Sequence, residues 1–322
     1  MEHIWSVIHE YIVPLGVTCA VGIGLAPIII PFLRRLKFGQ SIRDIGPSWH
    51  KGKSGTPTMG GIVFIISVVA VTLFLVRQQS SLVVIAAAAA FGIIGFIDDY
   101  IKVVLKRNLG LKSLQKLILQ IAAAVGFVVA LTAMDMIPTS IMIPFSAYEW
   151  ELGWLFVPFS VFIMVGFTNA VNLTDGLDGL ASLVTSVVSL FFAVAAHMLN
   201  NTEIAMFCFS LTGGCLAFYV YNRYPAKVFM GDTGSLFLGG ALAASAIVLR
   251  MPLILIIAGI IYVIETLSVM MQVTSFKLTG KRIFKMSPIH HHFEMVGWSE
   301  KKIVAIFSIV TVAACVVAYL AM

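Results

Sequence analysis

Long uncharged apolar runs alternate with short polar segments from one end of the chain to the other. Ten such windows occupy residues 11–33, 59–76, 80–97, 117–134, 153–171, 180–199, 204–221, 234–249, 251–271 and 303–322. A helix needs about 20 residues to cross a hydrocarbon core of roughly 30 Å. The runs are continuously apolar rather than alternating, so helices are expected in place of barrel strands. Only the ninth window carries a charge, Glu265, which is either functional or a mark of where that helix breaks or opens to water. Gly213-Gly214 and Gly239-Gly240 inside the windows predict close helix approach. The pattern predicts an all-α polytopic membrane protein of ten transmembrane helices, a single integral-membrane domain over residues 1–322.

Composition supports this. The chain has 322 residues, 60% apolar and 11% charged, with a formal net charge of +6. Soluble domains carry about 25% charged residues, so a soluble enzyme, a disordered chain and a secreted disulfide scaffold are excluded. Numbering the loops alternately places 19 of the 21 Lys and Arg residues on one side, leaving only Arg77 and Arg250 on the other. Basic loops stay cytoplasmic, so both termini are expected outside. The basic excess is then topological and gives no reason to expect nucleic acid. Residues 1–10 hold Glu2 and Glu10 but no Lys or Arg, unlike a signal peptide, so window 11–33 reads as a retained helix. Cys19, Cys208, Cys215 and Cys315 lie singly in apolar runs and read as buried packing residues.

The acidic residues carry the chemistry. Asp98 and Asp99 end the third window, Asp175 and Asp178 follow the fifth in the stretch from Asn169 to Gly179, and Asp232 precedes the eighth in Phe229-Met230-Gly231-Asp232. All five fall on the predicted cytoplasmic side. Carboxylates grouped at a membrane boundary repel one another unless a cation holds them, and oxygen ligands with Gly-rich turns suit Mg²⁺. Asp178 and Asp232 each stand just before an apolar helix and are equally readable as N-caps. Asp98 and Asp99, about 100° apart on a helix, are not expected to share one role. His290-His291-His292, near Lys281, Arg282 and Lys285, reads as a set of phosphate donors. Gly55–Gly61, after Lys51 and Lys53, resembles either an anion-binding helix start or a plain turn.

Taken in order, Gly55–Gly61, Phe96–Tyr100, Asn169–Leu180, Asn222–Ser235 and Pro288–Glu294 resemble the phospho-N-acetylmuramoyl-pentapeptide transferase family, within the polyprenyl-phosphate N-acetylhexosamine-1-phosphate transferases. The likeness covers essentially the whole chain. It implies transfer of phospho-N-acetylmuramoyl-pentapeptide from its UDP derivative to undecaprenyl phosphate, Mg²⁺ dependence, a bent ninth helix, a lipid groove, a homodimer and a place in the bacterial cytoplasmic membrane. By position it implies Asp232 as the foremost Mg²⁺ ligand, with Asp175 and Asp99 behind it. Asp98 becomes the base or orienting group beside Asp99. Asn172, Asp175, Asp178 and Asn222 are expected at the nucleotide and diphosphate, with Phe229 and Gly231 near the uracil. Lys53, Thr58, Lys116, His290, His291 and His292 are expected to hold phosphates or the sugar-peptide.

Three rivals remain at this point. One is an N-acetylglucosamine-1-phosphate transferase of the same superfamily. The second is an ion-coupled transporter, whose coupling groups would lie near the midplane in repeated halves; here the acids gather at one face and no repeat is visible. The third is an aspartyl intramembrane protease, for which Phe229-Met230-Gly231-Asp232 lacks a first glycine.

Overall fold

The structure, a computed structural model, describes residues 11–36, 55–76, 79–105 and 110–322. Its helices are α1 (Val13–Arg35), α2 (Gly61–Leu75), α3 (Gln79–Val103), α4 (Ser113–Ala133), α5 (Phe156–Thr174), α6 (Leu180–Met198), α7 (Thr202–Asn222), α8 (Gly231–Val248), α9 (Pro252–Ala258), α10 (Ile260–Thr279), α11 (Ile289–Met295) and α12 (Glu300–Leu320). Two short strands, β1 (Ser140–Met142) and β2 (Glu149–Glu151), pair antiparallel between α4 and α5. The chain is a polytopic, largely helical membrane protein.

Every apolar window carries helix. Among the described residues, eight helices are long and apolar enough to cross a membrane, and the bent pair α9–α10 makes a ninth. The second window forms α2, an apolar helix of only 15 residues. The ninth window is broken: α9 and α10 meet at Gly259 with an 82° bend. No strand was expected, yet β1 and β2 form a hairpin with Ile141 opposite Trp150. It exposes Phe145, Tyr148 and Trp150, aromatic residues of the kind that settle at a membrane–water boundary.

α8 forms the axis of the bundle. Its side chains from Thr233 to Val248 are all buried, and α3, α5 and α2 pack around it. Two glycine contacts set this packing. A Cβ on Gly61 of α2 would lie 2.3 Å from the Gly234 Cα of α8, and one on Gly95 of α3 would lie 2.1 Å from the Asp232 carbonyl oxygen. Neither space admits a methyl group, so backbone meets backbone. By contrast α1, α4 and α12 turn Ile28, Ile118 and Ile309 outward, as lipid-facing helices do.

The Gly61→Val variant should lose about 1–3 kcal/mol or more to overpacking, seen as a lowered midpoint of thermal unfolding in detergent. Gly126→Ala, where no atom lies within 4 Å of the added carbon, should leave the midpoint unchanged. Equal midpoints for the two variants would show that the α2–α8 contact is not close.

Candidate active site

The helix contact at Gly95 brings the last turn of α3 against the start of α8. Asp98 and Asp99 lie there, both 3% exposed, and each brings a carboxylate oxygen within 4.8 Å of the others and of Asp232. The two neighbours diverge in their other bonds. Asp98 accepts from the Leu111 amide at 2.7 Å, whereas Asp99 Oδ2 accepts from the Thr233 amide at 2.8 Å and its hydroxyl at 2.7 Å. Despite the 100° offset expected to separate them, the reach of the carboxylates lets both join one cluster.

Three cationic or amide donors answer Asp232. Lys102 Nζ and Lys116 Nζ each stand 2.9 Å from its Oδ2, and Asn172 Nδ2 donates to its Oδ1 at 2.9 Å. Lys102 also reaches Asp98 Oδ2 at 2.5 Å. Asn172 is placed on the last turn of α5 and bonds Ser235 as well, at 2.8 Å. Gln120 of α4 receives the Asn169 amide at 2.8 Å, tying α4 to the same helix one turn earlier.

Asn172, Asp175 and Asp178 do not share one helix, because a turn separates α5 from α6. α5 stops at Thr174, Asp175 caps it, and Gly179 with φ 85° starts α6. Neither Asp178 nor Asp232 acts as an N-cap, since no side-chain cap bond exists on α6 or α8. Asp178 instead accepts from the Ala226 amide at 2.9 Å. Asn222 is buried: it accepts from the Gly179 amide at 3.1 Å and donates to the Val228 carbonyl at 2.9 Å, joining the end of α7 to both turns. Burial pushes the Asp175 carboxyl well above the usual carboxylate range, and the nearby Asp232, Asp99 and Asp178 add to the push.

Gly55–Gly61 was open to reading as an anion-binding helix start. The Gly60 and Gly61 amides are already used, donating to the Phe229 and Met230 carbonyls at 2.8 and 3.0 Å. The segment is therefore a bracket for residues 229–231. Thr58 is buried and, among the described residues, its Oγ1 has no partner. It faces Gly231, where an added Cβ would lie 3.0 Å from Thr58 Oγ1 and 2.6 Å from Asp99 Oδ2. Phe229 is partly exposed beside it. Lys53 lies outside the described residues.

The three histidines ride on α11 and separate. His290 points inward, fully buried, with Nδ1 3.0 Å from Glu265 Oε1 on α10. Its Nε2 has no partner among the described residues and is directed at Gly176, where an added Cβ would lie 2.1 Å away. His291 Nδ1 lies 2.6 Å from Glu294, and His292 Nδ1 accepts from the Lys285 amide at 3.1 Å. Glu265 is thus a buried partner of the histidine segment rather than the site of the break, which falls at Gly259.

Sequence reasoning overlooked Lys102, Thr233 and Ser235 as site residues. Lys102 carried a usable signal, because it lies four residues after Asp98 on one helix face. The donor set also admits a hard divalent cation: Asp98, Asp99 and Asp232 offer only carboxylate oxygen, and with Lys102 and Lys116 they leave three negative charges against two positive. Asp175, expected as a second ligand, is not one of the three residues whose oxygens converge.

Comparison with known proteins fits this geometry. The glycosyl transferase family 4 profile matches residues 81–250, and the phospho-N-acetylmuramoyl-pentapeptide-transferase signature 1 matches residues 53–65. The chain is 50% identical over 322 residues to the phospho-N-acetylmuramoyl-pentapeptide-transferase of Clostridium perfringens, covering 99% of each chain. It is 52% identical over 302 residues to that of Acetivibrio thermocellus, covering 92% of this chain and 91% of the other. Against the Clostridium novyi protein of the same name it is 52% identical over 300 residues, 92% of each chain. Similarity of this extent, running end to end through every helix that contributes to the acid cluster, means that the chain belongs to the phospho-N-acetylmuramoyl-pentapeptide-transferase family.

Proposed function

We propose that this protein transfers phospho-N-acetylmuramoyl-pentapeptide from its UDP derivative to undecaprenyl phosphate, giving lipid I and UMP in peptidoglycan synthesis. The observation that carries the reading is the convergence of Asp98, Asp99, Asp232, Lys102, Lys116 and Asn172 at one end of a membrane-spanning bundle. A water-soluble nucleotide and a lipid phosphate can meet only at such a boundary. The acids gather at one end rather than at the midplane, which disfavours the transporter reading.

The lipid phosphate forms a bond to the sugar-bearing phosphorus as that phosphorus releases the uridine-bearing phosphate. One diphosphate bond replaces another, so the exchange is near thermoneutral and needs no ATP. Positioning and charge neutralisation do most of the work. Asp98, Asp99 and Asp232 would hold Mg²⁺, which when bound supplies neutralisation of the diphosphate oxygens. Lys102 and Lys116 lie ready to shift from Asp232 to substrate phosphate. The second pKa of a phosphomonoester is about 6, so the acceptor is largely dianionic at neutral pH, and Asp98 serves to orient it more than to take a proton. Asn172 and Asp175 face the diphosphate, Asp178 and Asn222 shape the nucleotide side with Phe229 and Gly231, and Thr58 and Lys53 would hold phosphate or the sugar-peptide. Glu265 holds the His290 ring so that Nε2 faces the 175–179 turn, with His291 and His292 beside it. The distribution of basic residues supports ten spans, both termini outside and a catalytic face toward the cytoplasm of the bacterial cell membrane. The homodimer is carried over from the motif resemblance alone.

Turnover scored by UMP release, with UDP-muramoyl-pentapeptide, polyprenyl phosphate and Mg²⁺, should far exceed that with UDP-N-acetylglucosamine; the reverse preference would favour the other branch. Asp232→Asn should cut kcat by about 10²-fold or more, a typical loss for one electrostatic group. It should also weaken Mn²⁺ binding read by electron paramagnetic resonance, and unchanged binding would remove Asp232 from the metal site. Asp98→Asn should slow turnover at neutral pH, whereas near-normal rates would leave it no role in the reaction. Nucleotide substrate alone should yield no phosphorylated enzyme, and finding one would replace direct transfer by a covalent route. Glu265→Leu should lower kcat by about 10–100-fold, as loss of an orienting partner does, with Glu265→Gln recovering part of it.

A further inference from the structure

On the flank of the bundle, at the same end as the acid cluster, a cleft of about 580 Å³ opens between α6, α7 and α12. Leu183, Val220 and Val304 line it, and each stands within about one turn of the end of an apolar helix. Arg223, Lys227 and Lys301 add three exposed cations. Among the described residues none of the three is ion-paired to a carboxylate. Lys301 Nζ stands 5.5 Å from the centre of the Tyr224 ring, which steadies it over the opening. The one acid in the lining, Asp178, has its Oδ2 engaged by the Ala226 amide.

The cleft does not end at the cations. Ala305, also in its lining, begins a stripe at helical spacing along α12 that continues through Ile309, Val312 and Val316, all exposed. Val220 of α7 is likewise exposed, at 43%. An apolar track thus runs from the membrane interior up to a cationic pocket at the membrane boundary. A soluble anion would need only the pocket; a phospholipid uses both parts, its charged head among basic side chains and its chain along the helix.

We propose that this cleft binds an anionic phospholipid of the surrounding leaflet, with the headgroup phosphate between Arg223, Lys227 and Lys301 and an acyl chain along the α12 stripe. The cleft borders the nucleotide side at Asp178, but its three cations and the α12 stripe lie outside the acid cluster; the proposal requires the membrane embedding but not the transferase reading, so each can fail without the other.

The test uses the purified full chain in phosphatidylcholine nanodiscs, titrated with phosphatidylglycerol, with bound lipid counted by native mass spectrometry. Arg223→Gln/Lys227→Gln/Lys301→Gln should weaken phosphatidylglycerol binding by about tenfold or more, in line with three basic residues acting on one anionic head. Ala305→Trp, which blocks the stripe and leaves every cation, should also weaken it. Lys277→Gln, an exposed charge at the far end of α10, should not. Excess inorganic phosphate should leave the lipid in place. Wild-type affinity in the triple variant or in Ala305→Trp, an equal loss in Lys277→Gln, or displacement by phosphate would each overturn the proposal. Unchanged thermal midpoints of the variants show that any loss is not one of folding.

Discussion

Asp98, Asp99 and Asp232 share one pocket because α3 and α8 touch backbone to backbone. At Gly95 the space of a side chain is filled by the Asp232 carbonyl. That contact carries the end of α3 to the first turn of α8 and forces three carboxylates together in a partly dehydrated place. Left alone they would repel strongly. The arrangement persists because Lys102 arrives from the same helix turn and Lys116 from α4, while the amides of Leu111 and Thr233 and the Asn172 side chain donate to Asp98, Asp99 and Asp232 in turn. The electrostatic demand of the acids thus recruits α4 and the 110–111 segment to the site.

The same crowding explains the second layer. The turns at 175–179 and 225–231 meet the cluster from the other side, and Asn222 locks them to each other and to the end of α7. Residues 57–61 brace the second of these turns through main-chain bonds to Phe229 and Met230. The break at Gly259 turns α10 sharply from α9, and Glu265 on α10 meets His290 of α11. A charged residue deep in an apolar window is accommodated by a histidine brought back from 25 positions later in the chain.

Much of this was legible beforehand, and the failures are specific. The apolar windows located every long helix, because burying backbone polar groups in lipid leaves the chain few alternatives. Of the acids singled out, Asp98, Asp99 and Asp232 do converge. Capping was a fair reading of Asp178 and Asp232, since both precede apolar windows; the carboxylates were drawn instead to the Ala226 amide and to two lysines. The amides of Gly60 and Gly61 looked available for an anion only until residues 229–230 were seen to use them. Lys102 was counted as a loop charge, although its place four residues after Asp98 was a signal at hand.

Hydropathy, read along the chain, was enough to establish membrane residence and the helical class. Those properties follow from local transfer energies, which sum over neighbouring residues whatever the tertiary arrangement. Which carboxylates meet, which lysines answer them, where the ninth window bends and which histidine finds Glu265 depended on the packed structure. These are contacts between residues far apart in the chain, and they are selected by the fit of glycine-lined helix surfaces that no linear pattern records.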